Sequence, residues 1–210
     1  MRTVRYSRTL VAGAVGAICA SQTTGGAGNL LINGTLASGG VATLAAQQVL
    51  GITSAGNVST VNFTITGTDD QGRVISQTLA GPNIGTVQTT LNFRTVTQIA
   101  VSAAVASAVT VDTLGIGASQ EIPVDRYQNP TNMTLTGIVT GTVNWTAQYT
   151  TDNIFDGTNG PYSWRNMSTL TNQTGTADGT IIQDVTAVRF LTNSGTGTLV
   201  CNVVQGGVMG

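Results

Sequence analysis

The sequence predicts an all-β fold: two small antiparallel β-sandwich or barrel-like domains with an N-terminal arm. Three observations lead there. Apolar residues recur with a period of two in several segments. Turn signals rich in Gly, Asn and Asp recur at the short spacing expected of sandwiches and barrels. No stretch carries a convincing apolar stripe at helical spacing. The abundance of Thr and Val agrees, because branching at Cβ restricts χ1 and suits a pleated backbone.

The elements follow in chain order. Arg2, Arg5 and Arg8 precede an apolar run at residues 10–20, followed by Ser21. That is the outline of a secretory signal cleaved after Ala20, and a run of about 11 residues is too short to span a bilayer. The stretch at residues 4–21 also fits a structural arm that packs on a neighbouring subunit or forms a first strand. As an arm, its deletion would weaken assembly more than folding. Residues 42–49 (ATLAAQQV) are the best helical candidate, and strand or loop fits them equally well. Val61, Phe63 and Ile65 alternate with Asn62, Thr64 and Thr66, the pattern of a half-buried strand. Residues 67–72 then form a hairpin turn in which Gly72 is free to take positive φ.

Further turns are marked by Gly39-Gly40, Gly56-Asn57, residues 81–83, residues 157–160 and Asp178-Gly179. Residues 101–111 read as strand–turn–strand, with a hairpin-like turn at 104–107. Val143, Trp145, Ala147 and Tyr149 alternate with Asn144, Thr146, Gln148 and Thr150, giving a second half-buried strand. Leu199, Cys201 and Val203 alternate with Val200, Asn202 and Val204. That last segment is apolar on both faces up to Asn202, as befits a central or interface strand. Gly195-Thr-Gly197, in a hairpin connection before it, is no phosphate loop.

Residues 1–21 are therefore drawn as an arm or signal-like segment and 22–117 as the first β domain. Residues 118–130, with two of the four prolines and a local cluster of charge, are the connector. Residues 131–210, with both tryptophans, are the second β domain. No internal repeat is strong enough to indicate duplication.

Composition restricts the chemistry. There is no histidine and no lysine, Glu121 is the one glutamate, and charged residues make up 8%. Histidine is the usual base near neutral pH, and lysine the Schiff-base former. Ser and Thr abound, but no base of that kind stands beside them. A carboxylate pair for glycoside hydrolysis is conceivable from Asp69, Asp70, Asp152, Asp156, Asp178 and Asp184. Of these, Asp69-Asp70 sits in a turn where neighbouring side chains diverge. On the loop at residues 151–160, Asp152, Asn153, Asp156 and Asn159 offer hard oxygens that calcium uses. Their spacing departs from the EF-hand pattern, and turn-forming Asx residues are the better reading. No catalytic residue, cofactor or metal is assigned.

The net charge of −1 includes no basic stripe, so direct nucleic-acid binding is not expected, and neither is membrane binding. Cys19 and Cys201 read as buried small hydrophobes, with a disulfide between the ends left open. Trp145 and Tyr149 share a strand face and read as core. Tyr162 and Trp164, which follow a Gly-Pro turn, are candidate partner-binding residues, as are Arg2, Arg5 and Arg8.

Residues 54–83 (SAGNVSTVNFTITGTDDQGRVISQTLAGPN) and 89–102 (TTLNFRTVTQIAVS) resemble structural proteins encoded by tailed bacteriophages and prophages. Residues 141–150 (GTVNWTAQYT) and 185–190 (VTAVRF) share the resemblance, which spans most of residues 25–207. It implies a non-enzymatic virion component, assembled in the host cytoplasm as capsid decoration, cement, head–tail or tail accessory protein. Its partners would be copies of itself and other virion proteins such as capsid or tail. A second reading is a secreted adhesin or carbohydrate- or protein-binding β-sandwich with a cleaved signal. A third, a carbohydrate-active enzyme using paired Asp residues, is disfavoured by the absence of His and the scatter of the carboxylates.

Overall fold

The computed structural model describes residues 2–9, 12–125, 132–155 and 162–206, with the side chains of residues 2 and 6–9 not described. The described chain is built almost wholly of antiparallel strands. It divides into two compact units, Ala12–Gly115 on one hand and Met1–Val11 with Ile116–Gly210 on the other. One unit is thus inserted in the sequence of the other. The second is called the host unit below.

Strand β1 (Arg2–Thr9) belongs to the host unit. The inserted unit contains β2 (Ala14–Thr24), β3 (Gly28–Asn29), β4 (Ala37–Ser38), β5 (Val41–Gln48) and β6 (Leu50–Asn57). It continues with β7 (Asn62–Thr68), β8 (Val74–Ala80), β9 (Asn83–Gln88), β10 (Phe93–Val101) and β11 (Val105–Thr113). One sheet runs β2-β11-β6-β9; the other runs β4-β5-β10-β7-β8, with β3 also on β10. Their inner faces share a single core that includes Ile18, Cys19, Leu44, Ile52, Phe63, Phe93 and Val111, all at most 1% exposed. Alternation explains the pairing: β7 buries Phe63 and Ile65 and turns Asn62, Thr64 and Thr66 outward.

The host unit continues with β12 (Gly117–Ala118), β13 (Ile122–Pro123), β14 (Met133–Thr140), β15 (Val143–Thr150) and β16 (Arg165–Asn166). After a 3-10 turn at Ser168–Leu170 come β17 (Ala177–Ile181), β18 (Ala187–Gly195) and β19 (Thr198–Gln205). Its sheets run β1-β19-β14-β17 and β12-β18-β15-β16, with β13 also on β18. Leu135, Trp145, Phe190, Leu199 and Cys201 form the centre of its core.

The two units repeat one topology. In each, the first strand lies beside the last (β2 on β11, β1 on β19). The next segments lie beside the penultimate strand (β3 and β5 on β10, β12 and β13 on β18). Then β6 and β14 flank the last strand from its other side, and β7 and β15 flank the penultimate one. Outermost are β8 and β16 on one sheet, β9 and β17 on the other. Two sheets in this order form an antiparallel jelly roll. The duplication is clear in strand order although no repeat stands out in the sequence.

Glycines make the corners where a strand pair passes from one sheet to the other. The β14–β19 ladder ends at Thr140 opposite Thr198, and β15–β18 begins at Val143 opposite Gly195. Between them, Thr196 and Gly197 both donate backbone N–H bonds to the Thr142 carbonyl, at 3.0 and 2.9 Å. A Cβ on Gly195 would lie 2.2 Å from that oxygen, and Gly195 has φ +127°. Only glycine fits there.

Several expectations change, while one alternative for the N-terminal segment holds: it forms first strands, each residue from Arg2 to Thr9 pairing in register with β19. The apolar run behind them forms much of β2, with Ala17, Ile18 and Cys19 in the core. The units divide at Ala12 and Gly115 instead of at 22 and 117. The expected connector contributes β12 and β13, while residues 126–130 lie outside the described residues. Residues 42–49 are strand, because Ala42 and Leu44 alternate into the core. After Val101 the chain turns at residues 102–104 and changes sheet, so β10 and β11 do not form a hairpin, and neither do β18 and β19. Asp178-Gly179 lies inside β17, where the missing side chain admits the Met167 methyl. The turn expected at residues 157–160 lies outside the described residues. The outward face of β15 is also covered: Thr146, Gln148 and Thr150 are buried beside Phe190's strand and the 166–173 segment.

The turn expected at Gly39-Gly40 and the hairpin turn expected at residues 67–72 are present. Both Gly39 and Gly40 have positive φ, as a two-residue hairpin turn of the primed type requires. Gly72 has φ +77°. The segment at 199–204 is a central strand, between β1 and β14.

Candidate functional site

The expected partner-binding arginines all lie on β1. Arg2, Arg5 and Arg8 stand in register with Gln205, Asn202 and Leu199. Arg5 is exposed; the side chains of Arg2 and Arg8 lie outside what is described. Tyr162 is half-buried and donates a long hydroxyl bond of 3.5 Å to the Ile154 carbonyl.

Trp164 is half-buried because it is stacked: the guanidinium carbon of Arg189 lies 4.2 Å from its ring centroid. This is a cation–π contact. Arg189 Nε donates to Gln148 Oε1 at 2.8 Å, and Gln148 Nε2 donates to Asn166 Oδ1 at 2.8 Å. Burial lowers the Arg189 guanidinium to about 10, and the Glu121 carboxylate opposes that shift. It stays charged at neutral pH. A stacked cation braced from both sides holds the residues around β16 onto β15 and β18.

The carboxylates do not gather. Asp69 Oδ1 accepts from the backbone N–H groups of Gln71 and Arg73, both at 2.9 Å, and Asp69 Oδ2 meets Arg73 Nε at 2.6 Å. Asp70 Oδ1 faces Arg94 Nε at 3.4 Å and accepts from the Gln47 N–H at 3.2 Å. So this turn is braced by ion pairs and backbone bonds instead of being simply solvated. Asp178 is exposed on β17. On the loop after β15, Asp152 accepts from the Ser163 N–H and Asn153 accepts from the Phe155 N–H. These two act as turn formers; Asp156 and Asn159 lie outside the described residues. Cys19 and Cys201 are buried and not joined in a disulfide, one in each unit's core.

Much of the surface polarity is satisfied within the sheets. On the outer face of the inserted unit, Thr64 bonds Thr78 at 2.8 Å, Thr66 bonds Ser76 at 3.1 Å and Thr68 bonds Thr95 at 2.7 Å. Such cross-strand hydroxyl pairs each contribute roughly 0.2–1 kcal/mol. They wet a sheet face without charge.

In the host unit, a cleft of about 280 Å³ opens between β15, the 166–169 segment and the end of β17. Tyr149, Asn166, Met167, Ser168 and Thr169 line it together with residues 180–183. No charged side chain lines it. Ser168, Thr169, Thr180 and Gln183 bear no pattern that marks them in the sequence. They are isolated neutral residues brought together by the fold.

No family model and no curated protein matches the sequence.

Proposed function

We propose that this chain is a non-enzymatic structural protein of a bacteriophage virion, serving as capsid decoration or cement, or as a head–tail or tail accessory component, and that it assembles as a symmetric homo-oligomer. The observation that carries the reading is the pair of jelly rolls of one topology in a single chain. Jelly rolls recur in capsid proteins and in lectins. A fold alone does not fix a function, so two further features bear weight. Charged residues are few, 8% of the chain, and several surface hydroxyls pair with one another across strands. Such a face costs little to desolvate against an identical neighbour. Edge strands β8 and β9 also present the exposed Val74 and Ile84, both 68% exposed. Unpaired edges are an aggregation hazard unless covered, and a closed ring of subunits covers them.

Native mass spectrometry alongside the denatured intact mass tests this. A full-length chain in one discrete multimer is expected. The multimer should persist from 0.1 M to 1 M salt, where the screening length shrinks from about 10 to about 3 Å, because few charges hold it. A monomer contradicts the proposal, and a monomer shortened by about twenty residues favours the exported binding protein.

A further inference from the structure

We infer that β8 is the edge at which two copies of this chain join, strand against antiparallel strand about a two-fold axis, merging their sheets into one. The inference deepens the homo-oligomer proposed above and rests on that reading. Its first support is a contrast among the sheet edges. β8 pairs with β7 over all seven of its residues without a register break. It has no charged residue, glycine or proline, and among the described residues its other side carries no strand.

The other long edges are blunted. β1 carries Arg2, Arg5 and Arg8. β2 has three register breaks and Gly16 at φ +65°, and its Ala17 and Ile18 carbonyls accept backbone bonds from Leu36 and Gly34, both at 2.9 Å. β5 is broken between its pairs with Phe93 and Thr95. β9 holds Ile84 and Gly85 at φ +65° and +92°. β17 is five residues long and carries Asp178. Charges, bulges and short length are the usual means of keeping an edge from pairing. β8 has none of them.

The second support is the sequence of the strand, Val-Ile-Ser-Gln-Thr-Leu-Ala, which matches its own reverse in residue class. A two-fold through Gln77 sets Val74 against Ala80 of the second copy, Ile75 against Leu79, Ser76 against Thr78 and Gln77 against itself. Directly opposite residues share a face of the sheet and are near enough to interact. Ile75 and Leu79 lie half-buried against the core of the inserted unit, so pairing covers more of their apolar surface. On the outer face, Thr78 bonds Thr64 at 2.8 Å and Ser76 bonds Thr66 at 3.1 Å. Opposing Ser76 to Thr78 continues both rows of hydroxyls across the junction. The Gln77 side chain at the axis is fixed beforehand. Its Oε1 accepts the Thr90 and Leu91 N–H groups at 3.0 and 2.9 Å, and its Nε2 donates to Thr90 Oγ1 at 3.1 Å. A side chain already held loses little freedom on association.

Charge and residue class select this register. A two-fold through Ser76 would oppose Ile75 to Gln77 and Leu79 to Arg73; one through Thr78 would oppose Leu79 to Gln77 and Val74 to Pro82. Through Gln77, Arg73 stands opposite Gly81 and meets no like charge. The same operation on β1, through Arg5, would set Arg2 against Arg8 and Arg5 against itself, and like charges directly opposite destabilise a pair.

Native mass spectrometry and hydrogen exchange on the full-length chain test the junction. The wild type is expected as a multimer with an even number of copies, with every amide of residues 74–80 exchanging as slowly as in a central strand. Ser76→Lys/Thr78→Lys sets like charges opposite one another. It should raise the dissociation constant of the junction at least about a hundredfold, halving the multimer while the amide spectrum keeps the dispersion of a folded chain. Ser76→Glu/Thr78→Glu should do the same, and mixing the two variants should restore the even multimer. A wild-type monomer, an odd multimer, an unchanged multimer in the folded Ser76→Lys/Thr78→Lys variant, or no recovery on mixing would overturn the assignment. So would fast exchange at those 74–80 amides that point away from β7, a measurement that needs no variant to fold. An unchanged multimer in the variant removes β8 as the junction and leaves the homo-oligomer standing, whereas a wild-type monomer removes both.

Discussion

Gly137 and Trp145 show how one residue position constrains the host core. Trp145 is fully buried, donates its indole N–H to the Gly175 carbonyl at 3.1 Å and lies 6.0 Å from the Phe190 ring at a tilt of 43°. A Cβ on Gly137 would sit 2.3 Å from the Trp145 ring. Gly137→Ala should therefore cost about 1–3 kcal/mol through overpacking, seen as a lower urea midpoint with an unchanged m-value. In the inserted unit, the Cys19 thiol is raised from 9.0 to about 12, by burial first and by the Asp112 carboxylate second. The folded state thus favours the protonated thiol. Its contribution to stability is intact below pH 9 and is lost as pH rises toward 12. Urea midpoints should fall over that window, with a shallower slope in Cys19→Ala, and native Cys19 should resist iodoacetamide at pH 8. The core placement of Trp145 was readable from its alternation with polar neighbours. The stacking of Trp164 under Arg189 was not, because residues 25 apart in sequence give no sign of contact. The cleft residues were equally invisible, since isolated Ser, Thr and Gln form no motif.

Strands whose faces differ were legible as elements, and those whose role depends on connection were not. Phe63 and Ile65 announce β7 because one face is apolar and the other hydroxylic. In β19, apolar on both faces up to Asn202, Leu199, Cys201 and Val203 supply the buried face. The Gly-Thr-Gly before β19, however, reads alike for a hairpin and for a corner between sheets; the difference lies in hydrogen bonds made with Thr142, far away in sequence. For the N-terminal segment, the alternatives of signal, arm and first strand stay open in the sequence for a related reason. Its partners, β19 and β11, lie at the ends of the two units, beyond any local pattern. Deleting residues 1–21 removes β1 and most of β2, exposing strands β19 and β11 in both units. The expected outcome is loss of cooperative unfolding and of near-ultraviolet circular dichroism. A well-folded truncated chain with a defect only in assembly would contradict the pairing described.

At the scale of the molecule, insertion is permitted because the ends of the inserted unit meet. Ala14 pairs in register with Thr113, and the Ala14 N–H donates to Thr113 Oγ1 at 3.1 Å. Adjacent termini let one unit interrupt another with little strain on either. Residues 12–115 expressed alone should accordingly fold to a β-rich, cooperatively melting domain; a disordered product would show that the units depend on each other. The repeated topology escaped the sequence because only the order of pairing is shared, and binary patterns of Thr and Val leave little to align. The central claim is that these jelly rolls build a virus particle. It is tested most directly by quantitative peptide mass spectrometry of particles banded from lysates of the host that carries this gene. The account predicts this chain in a fixed molar ratio to the major capsid protein across the particle band. Its absence from the particles, with the protein recovered only from the surrounding fractions, would contradict the account.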